Sequence, residues 1–146
     1  MLYENDVIEA VCSYLENRDF TILKKSTTNQ KGDDIIARPQ SANYKLHIEA
    51  KGETSSKEKT NNYGESFNSN QVLYHVAKAF YRAAKMLQQQ DEKDKNLPRK
   101  IGIALPDNNC HRKRVHAIEQ SLNKLDIIVF WVSSDRKVTV SPSDAV

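Results

Sequence analysis

The chain has 146 residues, 38% hydrophobic and 28% charged, which suits one domain with a buried core and is too short for two ordinary ones. No apolar run approaches the roughly 20 residues that span a bilayer, and from the acidic, helix-like start no signal peptide is expected. The two cysteines, Cys12 and Cys110, match no metal or redox spacing, so a reducing cytoplasm is the expected compartment. Net charge is +3 but unevenly spread: residues 1–20 hold five acids and one base, and the rest of the chain 21 bases and 14 acids. A basic body of this kind permits nucleic-acid binding without proving it.

Residues 4–17 read as a helix, because Val7, Ile8, Val11, Cys12 and Leu15 recur at helical spacing with Glu4, Glu9 and Glu16 on the polar side. Thr21 to Lys25 is a short β-prone run. Lys31-Gly32-Asp33 is a turn signal, and a strand from Asp34 to Arg38 follows, closed or edged by Pro39. Tyr44 to Lys51 is the clearest strand: Leu46, Ile48 and Ala50 share one face, and Lys45, His47, Glu49 and Lys51 the other. A polar loop from Gly52 to Asn70 leads to a helix from Gln71 to Gln90 with Val72, Val76, Ala79, Phe80, Ala83 and Leu87 as its apolar stripe. Asp91 to Lys100 is a charged connector, and Ile101 to Leu105 a buried strand ended by Pro106. His111 to Leu125 reads as one helix with Val115, Ile118, Leu122 and Leu125 inward. Asp126 to Val132 and Val138 to Val140 close the chain as strands. The order α-β-β-β-α-β-α-β-β fits an α/β sandwich around a mixed sheet.

Asp34 opens one strand and Glu49-Ala50-Lys51 ends the next. Glu49 and Lys51, two apart on a strand, leave the same face. If the two strands pair, the Asp34 carboxylate lies beside Glu49 and makes a hard-oxygen site suited to Mg²⁺, to which the Ala50 carbonyl could add a ligand. Lys51 then stands where it can contact an attacking water or a phosphate oxygen. Taken alone, a Glu-x-Lys on a polar strand face is commonly a solvated ion-pair ladder. Its conjunction with Gly32-x-Asp34-Ile35, a short hairpin and a preceding acidic helix is harder to assemble by chance.

Gly32-Asp33-Asp34-Ile35 followed by Ile48-Glu49-Ala50-Lys51 resembles the signature of the PD-(D/E)XK nuclease superfamily, including its Mrr-like and archaeal Holliday-junction resolvase members, over roughly residues 3–105. The resemblance implies a restriction endonuclease-like three-layer sandwich, with a mixed central β-sheet flanked by α-helices, formed by a single domain over residues 1–146. It maps the family's metal-binding acids onto Asp34 and Glu49 and its lysine onto Lys51. Glu4 and Glu9 compete for the first-helix acid, and Gln71 matches a glutamine at the start of the next helix. The proline usual before the aspartate is absent; Asp33 stands there. The implied activity is Mg²⁺-dependent hydrolysis of DNA, with Mn²⁺ as a substitute ion and cleavage leaving a 5′-phosphate. The alternative is a catalytically inactive nucleic-acid-binding module or a subunit of a larger restriction or repair complex. The residues do not separate DNA from RNA, and cutting both strands with so small a chain favours a homodimer.

Gln71, His75, Lys78, Arg82 and Lys85 fall on one stripe of the helix. It is read as a nucleic-acid contact near the site, against the plainer reading of a solvated cationic face. Ser55, Ser56, Lys57, Lys59, Asn61, Asn62 and Tyr63 in the preceding loop suit phosphate contacts and groove insertion. Cys110-His111 with His116 lacks convincing zinc spacing. His111 to Arg114 is a basic cluster equally explained by a solvated helix start, and Phe130 and Trp131 read as core.

Overall fold

The computed structural model describes residues 1–26, 32–53, 68–93 and 97–146, with side chains of the second helix described as far as Gln89. The loop residues Ser55, Ser56, Lys57, Lys59, Asn61, Asn62 and Tyr63 lie outside the described residues.

Ten elements follow in order: α1 (Glu4–Glu16), β1 (Phe20–Lys25), β2 (Ile35–Pro39), β3 (Lys45–Ala50), α2 (Ser69–Lys93), β4 (Arg99–Pro106), α3 (Asn109–His116), α4 (Glu119–Lys124), β5 (Ile127–Val132) and β6 (Val138–Ser141). The six strands form one mixed sheet in the order β1-β2-β3-β4-β5-β6. β3, β4 and β5 run parallel, and the remaining neighbours pair antiparallel. The helices cover both faces, so the three-layer α/β sandwich expected from the order of elements is the architecture observed. Among the described residues no helix is long and apolar enough to cross a membrane.

The two cores follow from the alternation of the strands. Leu46, Ile48 and Ala50 of β3 point to one face, where α1 buries Val7, Ile8, Val11, Cys12 and Leu15. Ile101, Ile103 and Leu105 of β4 and Val129 and Trp131 of β5 point to the other, where α2 buries Val72, Val76, Ala79, Ala83 and Met86. Each fully buried aliphatic side chain contributes about 1.5–3 kcal/mol. His47 and Glu49, on the face of β3 opposite Ile48, therefore lie on the α2 side of the sheet, and both are buried. This polar face is roofed by a helix, where sequence alternation alone suggests a solvated one.

Strand bounds shift by one or two residues, and two of the expected helices differ more. The helix expected from Gln71 to Gln90 starts at Ser69 and ends at Lys93, since Glu92 and Lys93 favour helix and nothing before them breaks it. The single helix expected from His111 to Leu125 is two: α3 ends at His116, and Ile118 leaves helical geometry before α4 begins. Val115 and Leu122 stay inward across the break, but Leu125 is 42% exposed, because it lies past the end of α4, where Asp126 at φ 55 turns the chain into β5.

Candidate active site

The site grows from the β2–β3 register. Ile35 pairs with Ile48 in an antiparallel ladder, and the next step of that register sets Asp34 opposite Glu49. β3 then runs on beyond its partner, so the Ala50 N–H has no strand to its β2 side. It donates instead to Asp34 Oδ2 at 2.8 Å. On the other side the parallel pairing with β4 continues through Glu49–Ile103 and Ala50–Ala104, and Lys51 N–H donates to the Ala104 carbonyl at 3.0 Å. The strand carrying Glu49 and Lys51 is thus fixed on both sides.

The turn before β2 is held as firmly. Gly32 has φ +102, a conformation costly for any other residue. Ser26, after β1, donates its N–H to the Asp34 carbonyl at 2.8 Å and its hydroxyl to the Asp33 carbonyl at 2.9 Å. Asp33 Oδ2 lies 2.6 Å from His47 Nδ1, and this hydrogen bond holds its carboxyl below the usual range. Asp33, directly before Asp34, is thus held by a side-chain clamp.

Asp34 and Glu49 are each only 8% exposed, and each carboxyl group affects the protonation of the other. Burial is the chief cause that raises both. For Glu49 the adjacent Asp34 charge adds to it, and the group is pushed up to about 7 against the lowering effect of Lys51 and Arg82. For Asp34 burial outweighs the Ala50 N–H and the Lys51 charge. Two buried carboxyl groups that resist joint ionisation form a site waiting for positive charge. Lys51 Nζ lies 3.2 Å from Glu49 Oε1. Arg82 reaches down from α2 with Nε 3.7 Å from Glu49 Oε2 and Nη2 3.3 Å from Asp33 Oδ1.

The donor chemistry fits a hard divalent cation such as Mg²⁺, which takes one or two carboxylates and fills the rest of its shell with water and phosphate oxygens. Of the first-helix acids, Glu9 stands away from this pair. Glu9 is exposed and pairs with Lys25 at 3.0 Å, on a helix that covers the opposite face of the sheet. Glu4 starts that helix, and among the described residues no three His, Cys, Asp or Glu side chains are grouped to hold a metal. The N-terminal end of α1 comes instead against Gly52, where a Cβ would lie 2.6 Å from the Glu4 nitrogen.

Gln71 serves its own helix. Its Oε1 accepts from Asn68 N–H at 2.7 Å, and Asn68 Oδ1 accepts from Gln71 N–H at 3.0 Å, a reciprocal cap. Of the cationic stripe, Lys78 and Lys85 are exposed, whereas Arg82 is turned onto Asp33 and Glu49 and His75 is half-buried. Burial, with the charges of Lys51 and Lys78, lowers His75 to about 4.

Sequence reasoning missed the Asp33–His47 clamp, the role of Arg82 in it, and a second, partly buried chain of polar groups. Glu53 Oε2 accepts from Asn108 Nδ2 at 3.1 Å, and Asn108 Oδ1 lies 2.8 Å from His111 Nδ1. His111 is fully buried and lowered to about 4 by desolvation. The only sequence signal for these contacts is Asn108 as a helix cap before His111.

No protein-family model matches the chain, and no curated protein matches it. Two solved structures share its fold. One is a XisH family protein from Nostoc punctiforme, with a TM-score of 0.56 at 10% identity over 92% of this chain and 94% of that one. The other is an fdxN element excision controlling factor protein from Anabaena variabilis, with a TM-score of 0.56 at 13% identity over 91% and 95%. At such identities the likeness establishes a common fold and leaves the chemistry to the residues of the site.

Proposed function

We propose that this chain is a metal-dependent nuclease of the PD-(D/E)XK type that hydrolyses phosphodiester bonds of DNA. The observation that carries the reading is the buried Asp34–Glu49 pair with Lys51 Nζ 3.2 Å from Glu49. The full set of two acids and one lysine stands at adjoining strand ends. Asp34 and Glu49 would hold Mg²⁺ or Mn²⁺, which when bound supplies charge neutralisation and a more acidic water.

The chain's own groups then have separable tasks. The Ala50 N–H fixes the Asp34 carboxylate in orientation. Lys51, a cation that cannot ligate a metal, offers its ammonium to the attacking water or to charge growing on the phosphate oxygens. Arg82 offsets the negative charge of Asp33 and Glu49. The exposed Lys78 and Lys85 hold the polyanion.

The Anabaena variabilis neighbour is named for control of element excision. A nuclease-related role within an excision or repair complex is the coarser reading for this chain, and a non-cleaving subunit with this fold is its alternative. The deciding experiment is a cleavage panel of single-stranded, duplex and branched DNA and of RNA, with Mg²⁺, Mn²⁺, Ca²⁺ or EDTA. The nuclease reading requires cleavage with Mg²⁺ or Mn²⁺ that is absent in EDTA and in Asp34→Ala. Binding without cleavage on every substrate favours the non-cleaving subunit. A gel-filtration mass taken alongside separates a monomer from the proposed homodimer.

A further inference from the structure

α2 presents a second stripe that its packing does not need. The core side of the helix is supplied by Val72, Val76, Ala79, Ala83 and Met86. On the outward side stand Tyr74, Lys78, Tyr81 and Lys85, at i, i+4, i+7 and i+11. Both tyrosines are 68% exposed. Lys85 Nζ sits 5.9 Å from the Tyr81 ring centroid. From residue 69 to residue 90 the sequence contains no Asp or Glu. The ridge is continuous with the site: Tyr74, Lys78, Tyr81 and Lys85 line one open cleft of about 420 Å³ together with Glu49 and Lys51.

Exposed aromatic rings alternating with cations, with no acid among them, suit a partner that is anionic and carries flat π-faces. Bases stacked within a duplex offer only their edges, and freeing a face costs a few kcal/mol of unstacking. An unpaired strand offers faces and phosphates together. At 1.5 Å rise per residue, Tyr74 and Tyr81 stand about 10.5 Å apart along the helix, so the two rings can each take a different base of one unstacked strand.

We propose that the Tyr74–Lys85 ridge binds an unpaired polynucleotide strand, its bases on the two tyrosines and its phosphates at the two lysines, and leads it to Glu49 and Lys51. The proposal deepens the nuclease reading and rests on it for the strand's destination, but binding itself needs no cleavage.

The test is fluorescence anisotropy on the full chain in EDTA with a labelled single-stranded DNA oligonucleotide, the same sequence as duplex, and its RNA counterpart. Tyr74→Ala and Tyr81→Ala should each weaken single-strand binding about 5- to 150-fold, and Tyr→Phe at either position should restore it. Lys78→Ala and Lys85→Ala should each reduce the log–log salt slope for the single strand by about 0.7. Duplex affinity should be unmoved by the tyrosine changes. Parallel losses on the RNA strand would support the ridge and extend it to both polynucleotides; losses confined to the DNA strand would support it for DNA.

Single-strand affinity within twofold of the parent in both alanine variants overturns the proposal, as does equal weakening of duplex and single strand. Because both rings are exposed, the alanine variants should melt at the parent temperature, and a melt beside each titration separates loss of contact from loss of fold. Failure of the nuclease reading looks different: strands bound through the tyrosines but never cut with Mg²⁺. Cleavage with affinities indifferent to Tyr74 and Tyr81 would remove the ridge and leave the nuclease.

Discussion

Lys51 Nζ lies 3.2 Å from Glu49 Oε1, with both groups on the α2 side of β3 and both largely shielded from solvent. The contact admits two roles for the lysine, a counter-ion that makes the carboxylate bearable and a donor aimed at the reacting phosphate. Substitution separates them. Lys51→Met keeps most of the aliphatic stem and removes the charge, so Mg²⁺ affinity should hold or rise, while the single-turnover cleavage rate should fall about 10²–10³-fold. Lys51→Arg should also be impaired, because its planar, delocalised charge does not reproduce the compact ammonium. Calorimetric Mg²⁺ titration beside single-turnover assays checks this; cleavage by Lys51→Met at the parent rate would reduce Lys51 to a counter-ion.

Function and stability should oppose each other at Glu49. Its folded value of about 7 stands above the ordinary 4.5, mainly through burial and then through Asp34. The sign follows: the proton it retains favours the fold fully below about pH 4.5, and that contribution is lost as pH rises through about 7. At pH 8 the metal-free parent carries the cost of an ionised, buried Glu49. Glu49→Gln should therefore be the more stable metal-free chain by about 1–3 kcal/mol, yet should gain nothing from Mg²⁺. Thermal melts at pH 8 with and without Mg²⁺ decide it, and a variant less stable than the parent would mean that Lys51 and Arg82 already satisfy the carboxylate.

Arg82 and Lys78 should separate by salt dependence. Lys78 is exposed, so Lys78→Ala should lower the log–log salt slope for duplex DNA by roughly 0.9. The Arg82 charge is engaged by Asp33 and Glu49; Arg82→Ala should change the slope little and cleavage strongly, by leaving two partly buried carboxylates short of a partner. Equal slope changes in the two variants would mean that Arg82 leaves its pairs to hold phosphate.

His111 gives the acid-side response. Burial lowers it from 6.5 to about 4, so its stabilising contribution is complete above about pH 6.5 and disappears as pH falls toward 4. Between pH 7 and pH 5 the parent should lose about 2 kcal/mol through this group, in the direction opposite to Glu49. The difference between the parent and His111→Gln in urea unfolding at the two pH values isolates it, and parallel pH dependence in both chains would show that His111 is protonated in the fold.

Gly52 tests the joint between β3 and α1. A Cβ there would lie 2.6 Å from the Glu4 nitrogen and 2.9 Å from the Tyr3 carbonyl carbon, both backbone atoms that cannot swing aside. Gly52→Ala should cost about 1–3 kcal/mol and, by shifting the end of β3, lower cleavage more than Mg²⁺ binding. A variant as stable as the parent would show that α1 can be displaced freely.

What the sequence determines by itself is what is local and periodic. Alternation over residues 45–51 sets which residues of β3 share a face, so the pairing of Glu49 with Lys51 is legible from their spacing alone. Helical spacing likewise picks out the inward residues of α1 and most of those of α2. Asp34 stands out by its turn and by resemblance. Tertiary structure decides everything that depends on what packs over a face. It turns the polar side of β3 into a buried one beneath α2, sets Asp34 opposite Glu49 one step beyond the paired register, and draws Arg82 onto Asp33 and Glu49. It gives Gln71 to a helix cap and keeps Glu9 on the far layer with Lys25. The interruption at Ile118 lies in one residue's dihedral angles, to which a 3.6-residue period is blind. The physical reason is common to all of these. Hydrophobic periodicity records the direction in which a side chain leaves the backbone, whereas the environment it meets there is set by residues distant in the chain.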